Sequence, residues 1–418
     1  MEGNILQKIK KHGIAGSMKV VEFHAATAFN NKWFYYYKKH RPMDEHLIVM
    51  ESEGDLSDNA FALYDYMRHN NYLKKYHVAW LVDHVDEARA LQQRRPEDFP
   101  NTEFVQKVPQ KVNRRWAEVL STCKWYIYDH CNLLATFAKD ERQTIVYLSH
   151  GFGVKASKNL HPVRNNFDLN IVLGKIPAEN APLDWGGNYD QTRQWGYPRN
   201  DYLFQDNTSV ENWINSKFHL KDYNKVFLWM PTFRQSQNKQ LSEEYIKTET
   251  GLPLFTTIKD LTSFNESLSR INALVILKVH HLQQNLPVFQ NKFSNIRILK
   301  DEELVTSGIQ LYQMIKYTDA LITDYSSIST DYMLLIRPII YVLDDYEEYQ
   351  KARGLSPENA LDLLVGYHVM NISDLENAIA EVYTGIDKYA NARNKLLPLL
   401  HTHADGNASK RIIDNLGL

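Results

Sequence analysis

Four stretches of the chain carry side chains able to move protons or hold phosphate, and each follows a short apolar run. Ligands of open parallel sheets bind beyond the carboxyl ends of strands, so these positions are where chemistry is expected. After Thr144 to Leu148 comes Ser149-His150-Gly151-Phe152-Gly153-Val154-Lys155. Its glycines permit a tight turn and a close backbone approach, His150 can exchange a proton near neutral pH, and Lys155 can meet an anion. The same residues also fit an ordinary strand-to-loop turn with a structurally bonded histidine. After Lys225 to Met230 comes Pro231-Thr232-Phe233-Arg234. An arginine placed by a Pro-containing turn suits bidentate phosphate binding, although a surface salt bridge is the commoner use of one Arg. Lys278, His280 and His281 close the run that starts at Ala273. Paired histidines suggest a metal, but neighbouring strand residues point to opposite faces, so at most one serves a cleft. Ala320 to Thr323 leads into Asp324-Tyr325-Ser326-Ser327-Ile328-Ser329-Thr330-Asp331. Ser326 and Ser327 stand where a helix would start, so hydroxyls, free N–H groups and the helix dipole form a phosphate cradle. Plain N-capping uses the same end.

The elements that must position these groups read as alternating strands and helices. His46 to Met50, His77 to Val82, Trp125 to Tyr128, Thr144 to Leu148 and Asn170 to Leu173 are expected strands, with helices such as Ala60 to Asn70 and Val112 to Ser121 between them. The alternation recurs in Lys225 to Met230, Ala273 to Val279, Ile296 to Leu299, Ala320 to Thr323 and Pro338 to Leu343, with helices near Leu261 to Ile271 and Ile309 to Tyr317. This is an α/β chain with parallel sheets in two domains. The boundary falls between Phe204 and Asn224, giving residues 44–204 and 205–418 as the two domains and 1–43 as an N-terminal arm. No G-x-G-x-x-G fingerprint and no Walker loop is present, which argues against dehydrogenase and P-loop readings.

With 418 residues, 44% of them hydrophobic, the chain can bury one or two full cores, so disordered and fibrous classes are excluded. Its 48 basic and 50 acidic side chains give a formal charge of −2, so no global field recruits nucleic acid. Cys123 and Cys131 have no metal-ligand spacing and read as buried packing residues in a reducing compartment. No apolar run approaches the roughly 20 residues needed to span a bilayer, and no signal peptide is expected. The arm has an excess of six positive charges and an aromatic cluster of Phe29, Trp33, Phe34, Tyr35, Tyr36 and Tyr37. Such a composition suits either an anionic membrane surface or a helix packed on its own protein.

Taken together, the blocks resemble the CDP-glycerol glycerophosphotransferase family, which includes teichoic acid primases and polymerases. The matching blocks, in order, are His150-Gly151 with Lys155, Gly196-Tyr197-Pro198-Arg199-Asn200-Asp201, Pro231-Thr232-Phe233-Arg234, Lys278-Val279-His280, Thr323-Asp324-Tyr325-Ser326-Ser327 with Asp331, and Arg353-Gly354. Met50-Glu51-Ser52 with Ser57-Asp58-Asn59 looks like the family's first strand and loop. The chain departs from the family where Phe152-Gly153 and His281 replace expected prolines.

The resemblance implies a GT-B fold, two Rossmann-like domains facing a cleft, with the nucleotide held mainly by the C-terminal one. It implies transfer of glycerol phosphate, or a related polyol phosphate, from a CDP-linked donor to a hydroxyl of a growing cell-surface polymer, with CMP leaving. His150 is then the expected general base and His280 a second catalytic residue. Arg234, Lys278, Asp324, Ser326, Ser327 and Asp331 are expected on the donor side, and Gly151, Lys155, Arg199 and Arg353 on the acceptor side or in the cleft. Loops around Phe152 to Asn159 and Trp185 to Asn188 would shape acceptor choice. No dedicated metal or other cofactor is expected, although a solution divalent cation could assist the pyrophosphate. The expected partners are CDP-glycerol or CDP-ribitol, a polymer or lipid-linked acceptor and an anionic membrane, with no nucleic acid. The expected place is cytoplasmic, peripheral on the inner face of the membrane. The alternatives are a GT-B glycosyltransferase using a nucleotide-sugar and a non-catalytic binding protein of that fold.

Overall fold

The computed structural model describes the backbone of residues 5–130, 139–156, 167–184, 188–232, 248–279 and 287–418, and their side chains apart from 5–20, 183–184 and 287. Arg234, His280, His281 and Cys131, with parts of the two expected acceptor loops, lie outside the described residues.

Thirteen strands form two parallel sheets among the described residues. The first comprises β1 (Asp44–Glu51), β2 (His77–Val82), β3 (Thr102–Gln106), β4 (Cys123–Tyr128), β5 (Thr144–Tyr147), β6 (Leu169–Ile171) and β7 (Thr192–Arg193), in the order β3-β2-β1-β4-β5-β6-β7. The second comprises β8 (Lys225–Met230), β9 (Ala273–Leu277), β10 (Ile296–Ile298), β11 (Ala320–Thr323), β12 (Ile339–Val342) and β13 (Tyr367–Val369), in the order β10-β9-β8-β11-β12-β13. Central strands are apolar without a break because helices cover both of their faces. In β1, Ile48 and Met50 join Ala60, Leu63, Tyr64 and Met67 of helix Asp58–His69 on one face. Leu47 and Val49 join Trp116, Val119 and Leu120 of helix Arg114–Thr122 on the other. In β8 the split is the same, Val226 and Leu228 to one face and Phe227 and Trp229 to the other.

Three strands carry no apolar run in the sequence: β3, β7 and β13. They lie at sheet edges, where one flank is open and the strand is short and partly polar. The chain also crosses back at its end. Helix Ala408–Leu416 lies in the stretch expected to belong to the second domain, yet Ile412 and Ile413 are buried in the core of the first sheet. Asp201 accepts hydrogen bonds from the amides of Ala408 and Ser409, each 2.8 Å, which fastens that helix start to the first domain. A continuous apolar cluster spans both sheets, with Phe152, Val154 and Tyr197 against Tyr325, Ile328 and Tyr332.

The arm is one helix, Ile5–His40. Phe34 is fully buried against the first sheet, Trp33 and Tyr37 pack beside it, and the Arg114 guanidinium lies 4.1 Å from the Trp33 ring centre. Phe29, Tyr35 and Tyr36 are exposed. The cluster read as one feature is therefore divided, half core and half surface. Among the described residues no helix is long and apolar enough to cross a membrane.

Candidate active site

Each sheet reverses its strand order once, at β1/β4 in the first and at β8/β11 in the second. Such reversals open a crevice at the carboxyl edge, because the two connections leave toward opposite faces. At both crevices an aspartate ending the second strand grips the loop that leaves the first. Asp129, after β4, accepts the amides of Glu53 at 3.0 Å and Ala60 at 2.9 Å. Asp324, after β11, accepts the Thr232 amide at 2.8 Å and also the Thr232 hydroxyl. Both carboxylates are fully buried. Burial and the nearby Asp58 charge push the Asp129 carboxyl well above the usual range.

The loop gripped by Asp129 delivers Glu53 and Asp58 to His150, which follows β5. His150 Nε2 is 2.8 Å from Glu53 Oε2, and its Nδ1 is 3.2 Å from Asp58 Oδ2. His130, just past Asp129, completes the group, its Nε2 3.9 Å from Glu53 Oε1 and its ring centre 5.0 Å from that of His150. Leu56, Asp58 and Ser149 all hold left-handed backbone, uncommon for residues with a Cβ. Asn59 secures that geometry, donating to the Ser149 carbonyl at 2.8 Å and accepting the Arg199 amide at 3.2 Å.

The charges are strongly coupled. Burial alone would lower the His150 pKa, but the hydrogen bonds and charges of Asp58 and Glu53 overcome it and hold the imidazolium up to about 10. Burial likewise opposes ionisation of Glu53, yet His150 holds its carboxyl down at about 2. Against the same desolvation, the Arg199 charge and the bond to His150 keep Asp58 well below the usual carboxylate range. Burial and, among nearby charges, the like charge of His150 lower His130, whose proton Glu53 partly favours. His150 thus has a carboxylate beside each ring nitrogen, Asp58 at Nδ1 and Glu53 at Nε2.

Arg199 joins this group to the second domain. Its Nη1 is 2.6 Å from Asp58 Oδ1 and 3.2 Å from the His150 carbonyl, while Nη2 is 2.7 Å from Asp331 Oδ2. Asn200 donates to the other Asp331 oxygen at 2.9 Å and the Tyr312 hydroxyl donates to the first. Arg199 and Asp331 are almost wholly buried, so each requires the other. Gly151 and Gly153 seat the histidine loop against Ser327. A Cβ on Gly151 would lie 2.7 Å from both Arg199 Nη2 and Ser327 Oγ, and one on Gly153 3.0 Å from the Ser327 backbone. Gly151 also holds φ at +125°, a conformation only glycine adopts freely.

Of the expected residues, His150, Gly151, Arg199, Ser327 and Asp331 therefore meet at one place, with Ser326 preceding the short helix Ile328–Tyr332. Lys155 forms an isolated bridge with Leu355, beside Arg353 and Gly354, so those two blocks are neighbours across the domains. Three donor-side expectations are revised. Asp324 and Asp331 are buried with their oxygens taken by Thr232 and by Arg199, Asn200 and Tyr312, so both position the site from behind. Lys278 is also nearly buried, its ammonium 2.7 Å from Asp301, instead of open to a ligand. Arg199, expected on the acceptor side or in the cleft, is almost wholly buried between Asp58 and Asp331 as an internal tie. Glu53, Asp129 and His130 were missed as site residues. Glu53 and the pair Asp129-His130 stand just past two expected strands, so the strand-end rule applied to β1 and β4 would have found them.

The profile of the family described as CDP-Glycerol:Poly(glycerophosphate) glycerophosphotransferase matches residues 33–417. A teichoic acid poly(glycerol phosphate) polymerase of Bacillus spizizenii is 24% identical over 335 residues, covering 74% of this chain and 76% of the relative. A teichoic acid ribitol-phosphate primase of the same species is 25% identical, covering 60% of each chain. A teichoic acid glycerol-phosphate transferase of Staphylococcus aureus is 27% identical over 230 residues and covers 54% of each. Among solved structures, the wall teichoic acid polymerase TagF superposes with a TM-score of 0.70 at 21% identity, covering 100% of this chain and 98% of that one. This likeness shows the fold, and the GT-B arrangement of two facing parallel-sheet domains is the one observed.

Proposed function

The chain belongs to the CDP-glycerol:poly(glycerophosphate) glycerophosphotransferase family and is a transferase of polyol phosphate from a CDP-linked donor; on that premise we propose how its residues carry the transfer. Membership sets aside the nucleotide-sugar and non-catalytic readings. An acceptor hydroxyl attacks the phosphorus that bears the polyol, a new P–O bond forms, and the bond to CMP breaks. The hydroxyl proton passes to Nε2 of His150 in its neutral form, while Asp58 stands at Nδ1. The single observation that carries this is the His150 ring held between Asp58 and Glu53, with Asp58 tied through Arg199 to Asp331 of the donor-side domain. Charge on the transferring phosphoryl is spread by positioning and electrostatics, with no covalent intermediate required. Ser327, packed against Gly151 and Gly153, and Ser326 next to it in the chain are proposed phosphate contacts, with Arg234 and His280 added from the family blocks.

The polyol is glycerol or ribitol, since relatives are named for each. The acceptor is a polymer or lipid-linked chain, and the N-terminal helix meets an anionic membrane through Phe29, Tyr35 and Tyr36 and the arm's basic residues. What supports the membrane contact is the exposure of those three rings on a basic helix. The direct test of function is a donor screen with CDP-glycerol and CDP-ribitol, reading CMP release and the mass of the extended acceptor. Release of CMP with no added polyol phosphate would defeat the transfer reading. Binding to anionic but not neutral liposomes, weakened by salt and by replacing the three exposed rings with Ser, is expected for the membrane contact. Equal binding by that variant would move the contact elsewhere.

A further inference from the structure

The histidine that moves the proton also sits in a constellation that the transfer reaction does not call for. One donor atom from each of Glu53, His130 and His150 lies within 4.8 Å of the other two. The closest pair is Glu53 Oε2 with His150 Nε2 at 2.8 Å, and His130 Nε2 is 3.9 Å from Glu53 Oε1. Ligands sharing one tetrahedral Zn2+ each lie about 2.0 to 2.2 Å from it, which puts them roughly 3.3 Å apart. Small side-chain rotations of the partly exposed Glu53 and His130 bridge that difference. The three residues come from loops after three different strands, β1, β4 and β5, so the convergence is tertiary and not an accident of one turn. Outer support is at hand for one of the two imidazoles. A metal-ligating imidazole ordinarily gives its second nitrogen to a carboxylate. Asp58 stands at His150 Nδ1, and Asp58 is itself gripped by Arg199. His130 Nδ1 is buried and finds no hydrogen-bond partner among the described residues.

We propose that Glu53, His130 and His150 form a binding site for a borderline divalent transition metal of the Zn2+ class, and that occupancy shuts off transfer by taking His150 Nε2. Two imidazoles and one carboxylate select such ions, whereas Mg2+ and Ca2+ prefer all-oxygen sets. The ion takes the place between Glu53 and His150 Nε2, with Glu53 as its charged ligand and Asp58 behind the ring at Nδ1. The metal is thus an inhibitor and not a cofactor. The inhibitory half rests on the proton-transfer role of His150; the binding half does not.

The test uses the full, untagged chain. Co2+ is titrated while visible absorption is followed, Zn2+ binding is measured by calorimetry, and transfer is assayed over the same Zn2+ range with and without a chelator. The wild type should bind one ion at the site and lose transfer as it fills, with activity restored by chelation. His130→Ala should weaken that binding by at least about tenfold, the order reported for disturbed metal shells. His130→Gln serves as a second variant of similar bulk, and thermal unfolding establishes that each is folded. Wild-type binding indistinguishable from that of both folded variants would overturn the site. Tight binding lost in the variants, with transfer untouched by Zn2+, would uphold the site and instead overturn the role of His150 Nε2 in the reaction. Inhibition that persists unchanged in both variants would overturn the inhibitory half.

Discussion

Removing the charge of Glu53 should free His150 to act as a base at lower pH. The imidazolium is stabilised from two sides, by Glu53 at 2.8 Å and Asp58 at 3.2 Å, and holds its proton up to about 10. Glu53→Gln keeps the shape of the side chain and deletes its charge. The charged form of His150 then loses a partner while the neutral form does not, so the proton leaves at lower pH. An opposite charge at such range moves a titration by roughly 1 to 3 pH units. Glu53 is the more exposed carboxylate, with 39% of its side chain open against 14% for Asp58, so solvent screening puts its share nearer the lower end. A base titrating at about 10 is neutral in roughly 0.3% of molecules at pH 7.5, and one titrating near 8.5 in roughly 9%. The competent fraction of free enzyme therefore rises by up to about 30-fold, less whatever the weaker base gives back. The assay is CMP release at low donor concentration, so that kcat/KM reports the free enzyme, followed from pH 6 upward. The rise of kcat/KM should end at lower pH in Glu53→Gln than in the wild type. A limb that stays in place or moves upward in a folded variant would show that the group titrating is not His150 between these carboxylates.

Arg199→Lys retains a positive charge but cannot reach Asp58 and Asp331 with separate donors, so a buried carboxylate is left uncompensated. Urea denaturation should show a loss of about 3 kcal/mol or more, and a loss below about 1 kcal/mol would refute the tie between domains. Gly153→Ala presses a methyl to 3.0 Å from the Ser327 backbone, and overpacking of this kind costs about 1 to 3 kcal/mol. Donor affinity should fall several-fold in calorimetry; wild-type affinity would place the donor away from Ser327. Glu51 is fully buried, and that burial lifts its carboxyl to about 7 despite the hydrogen bond from Tyr126. The unfolded chain gives up this proton first, so the Glu51 contribution to stability declines as pH rises from about 4.5 through about 7. Glu51→Gln should be about 1 to 3 kcal/mol more stable than the wild type at pH 8 and show no such gain at pH 4, and equal stability at both would refute the burial argument.

Patterns along the chain were enough for the architecture. Central strands such as β1, β8 and β11 announce themselves because burial on both faces demands unbroken apolar runs, and their ends mark the crevice where His150 and Ser327 stand. The ordered blocks from His150-Gly151 to Arg353-Gly354 also reveal the family, since each block is local and keeps its own spacing. What no local pattern reports is which side chains end up sharing an electrostatic environment. Arg199 and Asp331 read as cleft and donor groups, yet 132 positions apart they close a buried ion pair, because the two sheets pack against one another there. Glu53, His130 and His150 come from three strand ends brought together by the β1/β4 reversal and the neighbouring β5, so their coupling depends on sheet order, which periodicity does not encode. The same holds for the last helix, Ala408–Leu416, whose Ile412 and Ile413 are buried in the core of the first sheet. Pairwise charge and packing energies depend on distance in space, and only the folded chain sets those distances.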